Sequence, residues 1–177
     1  MSPEPIFIRT EQPSDAARID ALQHIAFGPG AFVRAAFRVR EHAPHDPALS
    51  FVTEREGALI GSVRLTPITV GDAKGMLLGP LVVDPAFKGL GFGKALVRHV
   101  LQEAGKVGHA FVLLVGDEPY YGPLGFAGIP AGRVKMPGPV DPARLLVAEL
   151  RPGSAKGLTG AVCGVPPPNS FPLVGAG

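Results

Sequence analysis

The chain of 177 residues carries 17 Lys and Arg against 15 Asp and Glu, a formal charge of +2, with no run of like charges longer than two. Bulk attraction to nucleic acid or to a membrane surface therefore has no electrostatic basis. Its 46% hydrophobic and 18% charged content suits one globular domain with a sizeable core, and a single cysteine, Cys163, excludes an intrachain disulfide framework and a cysteine-based zinc cluster.

The first residues, Met1-Ser-Pro-Glu-Pro5, lack the layout of a signal peptide, and no apolar run reaches bilayer-spanning length, so the expectation is a cytoplasmic protein. Ile6–Arg9 reads as a short strand. Ser14 reads as the N-cap of a helix that places Ile19, Leu22, Ile25 and Ala26 on one face before Gly28-Pro29-Gly30 stops it. A second helical stretch, Ala31–Arg40, groups Phe32, Ala36 and Val39, and a loop follows at 42–47. Ser50–Arg55 and Ala58–Thr69 read as strands joined by a tight turn at Glu56-Gly57. Met76–Val83 is a largely apolar strand interrupted by Gly79-Pro80. Proline lacks the amide proton of a central ladder, so a bulge or a parting of strands is expected there. Phe92–Val107 is the clearest helix: Leu96, Val97, Val100, Leu101, Ala104 and Val107 form one stripe, and Gly108 ends it. Phe111–Val115 and Leu145–Leu150 read as further strands. That order predicts an α+β fold with a mixed sheet.

The most informative stretch runs from Leu81 to Ala95, where a buried strand enters a turn with three glycines and an amphipathic helix follows at once. Free amides and the positive end of the macrodipole collect at a helix N-terminus. Glycines at 89, 91 and 93 remove Cβ atoms that would hold a phosphate away, and Lys88 and Lys94 add positive charge. A P-loop requires glycine where Lys88 stands and Ser or Thr where Ala95 stands. A dinucleotide fingerprint requires glycine at Lys94. The remaining phosphate pattern, Gln/Arg-x-x-Gly-x-Gly/Ala, is met by Lys88-x-x-Gly91-x-Gly93 after Val83-Asp84-Pro85, with Lys in the first place. Downstream, Tyr121-x-x-x-Gly125-Phe126 supplies a second motif.

These two motifs, in this order, resemble the GNAT superfamily of N-acetyltransferases over roughly residues 6–150, closest to a bacterial subgroup. The resemblance implies a mostly antiparallel mixed sheet flanked by helices, its strands splayed at an acyl-CoA site, as one domain over 1–151 with a Gly/Pro-rich extension over 152–177. It implies acetyl-CoA as co-substrate, no metal, and an amine of a small molecule or peptide as acceptor, with a homodimer possible and neither nucleic acid nor membrane as partner. Backbone groups of Leu81 and Val83 would pair with the pantetheine arm as an added strand. The amide of Val82 would stabilise the oxyanion. The amides of Lys88, Gly89, Leu90, Gly91, Phe92, Gly93 and Lys94 would cradle the diphosphate. Tyr121 matches the tyrosine that protonates the departing thiolate, and Tyr120, on an extended segment, would turn to the opposite side as packing.

Leu77 stands where many relatives carry a glutamate, so the general base stays unassigned among His42, His45, Asp46, Glu54 and Glu118. His24, His99 and His109 read as structural. That gap keeps open a catalytically silent CoA-binding sensor or scaffold of the same fold, and, more remotely, a nucleotide-binding protein. The extension holds Pro166-Pro-Pro168, which favours polyproline II. Leu158, Val162, Val165, Phe171 and Leu173 are too apolar for a free tail, so it is expected to pack back on the domain.

Overall fold

In the computed structural model, which describes residues 5–28, 39, 41 and 43–166, the alternating stretch from Ser50 onward forms three antiparallel strands. They are β2 (Ser50–Arg55), β3 (Ala58–Val70) and β4 (Ala73–Val83), and the Glu56-Gly57 turn joins the first two. β1 (Ile8–Thr10) adds to the free edge of β2. After helix α2 (Phe92–Lys106), β5 (Phe111–Val115) returns parallel to β4. β8 (Leu145–Glu149) continues the sheet antiparallel to β5, with the short β6 (Ala127–Gly128) outside it. The α+β expectation, a mixed and mostly antiparallel sheet flanked by helices, is therefore met.

The two faces are sealed by different elements. On one, Leu96, Val97, Val100 and Ala104 of α2 close over Val63, Leu65, Met76, Leu78, Val112 and Leu114. Each such side chain contributes about 1.5–3 kcal/mol by leaving water. On the other, Ile19 and Leu22 of α1 (Ala16–Phe27) pack on Val52, Leu59 and Val82. Ile25, expected on that inner face, is 65% exposed. Ser14 is not the cap either. Pro13–Asp15 form a 3-10 turn, and the Asp15 carboxylate accepts from the Gln12 amide at 2.8 Å. The expected helix Ala31–Arg40 lies outside the described residues apart from Val39, which is buried.

Residues beyond the boundary expected at 151 join the same sheet. Gly160–Gly164 (β9) pairs with β3 at residues 68–70, on the stretch that β2 leaves bare, and in parallel with β7 (Val134–Lys135). Leu158 and Val162 are buried, and the Val165 amide donates to the Pro67 carbonyl at 2.9 Å. Phe171, Leu173 and Pro167-Pro168 lie outside the described residues.

Three Asp-Pro-Ala segments turn the chain in one way. At Asp46, Asp84 and Asp141 the carboxylate accepts from the amide two residues on, each at 2.9 Å, while Pro opens a 3-10 turn. Aspartate satisfies an amide that would otherwise be unpaired, and proline presets the backbone angle.

A cluster of charges ties α1 to the sheet. Asp15, 1% exposed, accepts from Arg9 through two bonds of 2.8 Å and from Arg18 at 2.9 Å, while Glu54 closes the group against both arginines. The Arg9 hydrogen bonds, helped by the Gln12 amide and Arg18, outweigh burial and hold the Asp15 carboxyl well below the usual carboxylate range. A depressed carboxylate contributes stability that is complete above its unfolded value near 4 and is lost as pH falls below that. Asp15→Asn should lower stability at pH 7 by about 2–3 kcal/mol, because two arginines keep a buried partner without charge. In denaturant titrations the deficit should shrink below about pH 4.

Candidate active site

β4 and β5 are hydrogen-bonded only around Met76–Val112 and Leu77–Leu113. Beyond that they part. The cause lies on β4, where Val63 pairs Leu81 but Leu65 pairs Leu78, so Gly79 and Pro80 together face Arg64 alone. This bulge bends the strand away while β5 stays with β8 as far as Val115 and Leu145. The opening is a cleft of about 660 Å3 between the end of β4, the head of α2, the end of β5 and the short helix α3 (Glu118–Tyr121).

The ladder decides which groups of β4 face that cleft. The Asp84 amide donates to the Ile60 carbonyl at 2.8 Å, and the register is unbroken from there to Ser62–Val82. Hydrogen-bonded pairs alternate in an antiparallel ladder, so the backbone of Val82 is turned to Ser62 while those of Leu81 and Val83 face the opening. The expected assignment of the Val82 amide to the oxyanion is corrected on this ground. Its side chain is also committed, packing under α1.

At the head of α2 the Asp84 turn delivers the chain through Lys88 into Gly89 and Gly91, whose φ angles of 81° and 92° are left-handed. Open space surrounds both, so it is conformation rather than room that requires glycine there. The first bond back into the helix is from the Ala95 amide to the Gly91 carbonyl at 3.0 Å. Among the described residues, the amides of Gly89, Leu90, Gly91, Phe92, Gly93 and Lys94 meet no acceptor of their own chain. Lys88 and Lys94 line the cleft, whereas the Leu90 side chain points to solvent and the Phe92 ring is buried, edge-on to Phe87 at 6.0 Å.

Gly93 needs room instead. A Cβ on it would lie 2.5 Å from the Tyr120 hydroxyl, and one on Gly116 would lie 2.4 Å from Cε2 of Tyr121. Two glycines thus let the chain's two tyrosines seat side by side, their rings edge-on at 4.8 Å, with Tyr121 edge-on to Phe126 at 5.7 Å. Residues 118–121 are helical, not extended, so Tyr120 is not turned away: both rings line the cleft. Burial pushes the Tyr120 phenol up.

A family model described as the acetyltransferase (GNAT) family matches residues 17–126. The chain belongs to that family. It is 30% identical over 159 residues to the N-acetyltransferase YhbS of Escherichia coli strain K12, whose function is uncharacterised, covering 89% of this chain and 95% of that one. The N-acetyltransferase YjhQ of the same organism, also uncharacterised, is 31% identical over 117 residues, 64% of this chain and 65% of that one. Among solved structures, E. coli YhbS in complex with CoA superposes with a TM-score of 0.74 at 28% identity, covering 93% of this chain and 94% of that one. A GNAT acetyltransferase from Brucella melitensis in complex with acetyl-CoA gives 0.59 at 30% identity, over 80% and 94%.

For a GNAT protein the base candidates are poorly placed. His45 and Arg64 hold Glu11, and although burial raises that carboxyl, their hydrogen bonds together bring it below its ordinary value. Asp46 caps its turn, Glu54 belongs to the Asp15 cluster, and Glu118 opens α3 facing solvent. None of these lines the cleft, and His42 is outside the described residues. Leu77 is fully buried core. Two residues that sequence reasoning passed over do line it: Asp117, and Arg144, whose Nε donates to the Asp117 carboxylate at 3.3 Å. The place of Asp117 just ahead of the tyrosine motif was a usable signal; Arg144 had none. Among the described residues no three His, Cys, Asp or Glu side chains converge as metal ligands, and no helix is long and apolar enough to cross a membrane.

The conformational requirement at Gly91 is measurable. Gly91→Ala should lower stability by about 1–2 kcal/mol through its left-handed backbone. Gly105→Ala, in open space late in α2, should raise it by about 0.5 kcal/mol, both read from thermal unfolding.

Proposed function

We propose that this protein moves an acyl group, acetyl in the first instance, from its CoA thioester directly to an amine of a small molecule or peptide. The observation that carries the reading is the parting of β4 from β5, which leaves backbone of Leu81 and Val83 bare beside the unpaired amides at the head of α2. An extended arm bearing amides suits the first group and a diphosphate suits the second.

In this mechanism the neutral amine attacks the thioester carbon, and the carbonyl π electrons move onto oxygen. The amide of Leu81, first past the bulge and facing the cleft, takes the role once expected of Val82 and donates to that oxyanion. Collapse expels the thiolate, which takes its proton from the Tyr121 hydroxyl, and the nitrogen releases its proton to water, from which the phenolate is reprotonated. A phenol carries its proton at neutral pH and can pass it to the sulfur as the carbon–sulfur bond breaks. A cleft with Asp117 as its carboxylate suits an amine that arrives already neutral or loses its proton through solvent. The same reading implies a cytoplasmic setting, where acetyl-CoA is supplied.

Leu77, in place of a carboxylate, favours the second reading of a silent CoA-binding module. Saturable release of free CoA from acetyl-CoA in the presence of an amine panel would exclude that module. Tyr121→Phe should then cut turnover by about 10²-fold or more while CoA affinity stays within a few-fold. Unchanged turnover removes Tyr121 from the chemistry. Because the chain has no tryptophan and its two tyrosines line the cleft, CoA titrated into the protein should alter intrinsic tyrosine emission saturably.

A further inference from the structure

Tyr120 is the part of the cleft that the mechanism leaves without a task. Its hydroxyl stands hard against Gly93, within the group of amides that meet no acceptor. The Lys94 ammonium lies over its ring, 5.6 Å from the centroid, and the ring edge contacts Tyr121 at 4.8 Å. Among the described residues the hydroxyl itself has no hydrogen-bond partner, and the residue as a whole is 36% exposed, on the cleft. A donor packed into an anion cradle, beside a cation and without an acceptor of its own, fits a ligand oxygen. An anion that accepts from the Gly93 amide meets this hydroxyl next to it.

We propose that Tyr120 is a binding residue for the diphosphate of CoA, its hydroxyl donating to a diphosphate oxygen together with the amides at the head of α2 and the Lys94 ammonium. This assignment rests on the acyl-CoA reading above. It gives the glycine at position 93 a second purpose: a side chain there would expel the hydroxyl from the cradle even where the helix itself would gain. It also links the two halves of the site. The ring that contacts the diphosphate is the one against which Tyr121 packs edge-on, so filling the cradle fixes the neighbour of the proton donor. Burial, which raises its pKa, keeps the proton on this oxygen through the neutral range, so that it donates.

Tyr120→Phe keeps the ring, its contact with Tyr121 and the fold, and removes only the donor. CoA affinity measured by calorimetry should weaken about tenfold, the loss expected for one hydrogen bond to a charged group. In phosphorus NMR of CoA bound at saturation, the two diphosphate resonances should move between wild type and variant while the 3′-phosphate resonance stays in place. Affinity within twofold of wild type, or a change confined to the 3′-phosphate, would overturn the assignment of Tyr120 and leave the acyl-CoA reading standing. A wild-type protein that itself fails to bind CoA would instead overturn that reading, and the Tyr120 assignment with it.

Discussion

Backbone amides and carbonyls in a protein interior are almost always hydrogen-bonded, and a sheet satisfies them by pairing each strand with the next. β4 obeys this on both sides around Met76 and Leu77. Past the Gly79-Pro80 bulge it keeps β3 and loses β5, so the cleft-side groups of Leu81 and Val83 stand unpaired in the middle of a sheet. A sheet edge placed inside a domain is costly unless something completes it, and everything else in the site is arranged around that gap. The strand leads into the turn that exposes the helix amides, and β5 leads into the helix that carries the tyrosines.

The same economy governs the walls. Asp84 ends β4 by capping its own turn, whose bonds engage the amides as far as Lys88 and leave those from Gly89 to Lys94 without an acceptor among the described residues. Gly93 and Gly116 each give up a side chain so that an aromatic ring from α3 can close against the opposite wall. The gap is thus bordered by hydrogen-bond donors on one side and by two phenols on the other. α2 is held by its own apolar stripe, and α1 by the Asp15 charges, so neither wall depends on ligand for its position.

Much of this was legible in the sequence because its signals were local. The Glu56-Gly57 hairpin, the stripe of α2 as far as Ala104 and the glycine turn all follow from spacing within one element. Val107, expected on that stripe, is 66% exposed just past the helix. The Gly79-Pro80 interruption also marks, from the sequence, where the strands part, because proline lacks the amide proton that a ladder needs. What failed depended on pairings and local turns that spacing alone does not show. Val82 was assigned to the oxyanion although its amide belongs to Ser62, twenty residues back across the hairpin. Ser14 resembled a cap, but Arg9 and Arg18 pull Asp15 into that place. Tyr120 was turned away by assuming an extended segment, where Pro119 in fact sits in the first turn of a helix. β9 carried no strong alternation and became a strand because β3 is longer than β2 and leaves an edge for it.

Amide hydrogen exchange resolved by NMR, with and without saturating acetyl-CoA, tests the central claim most directly. The account predicts that exchange slows at Leu81 and Val83 and across Gly89–Lys94, while Val82, already bonded to β3, is unchanged. Acetyl-CoA that binds yet leaves Leu81 and Val83 exchanging as in the free protein would contradict it.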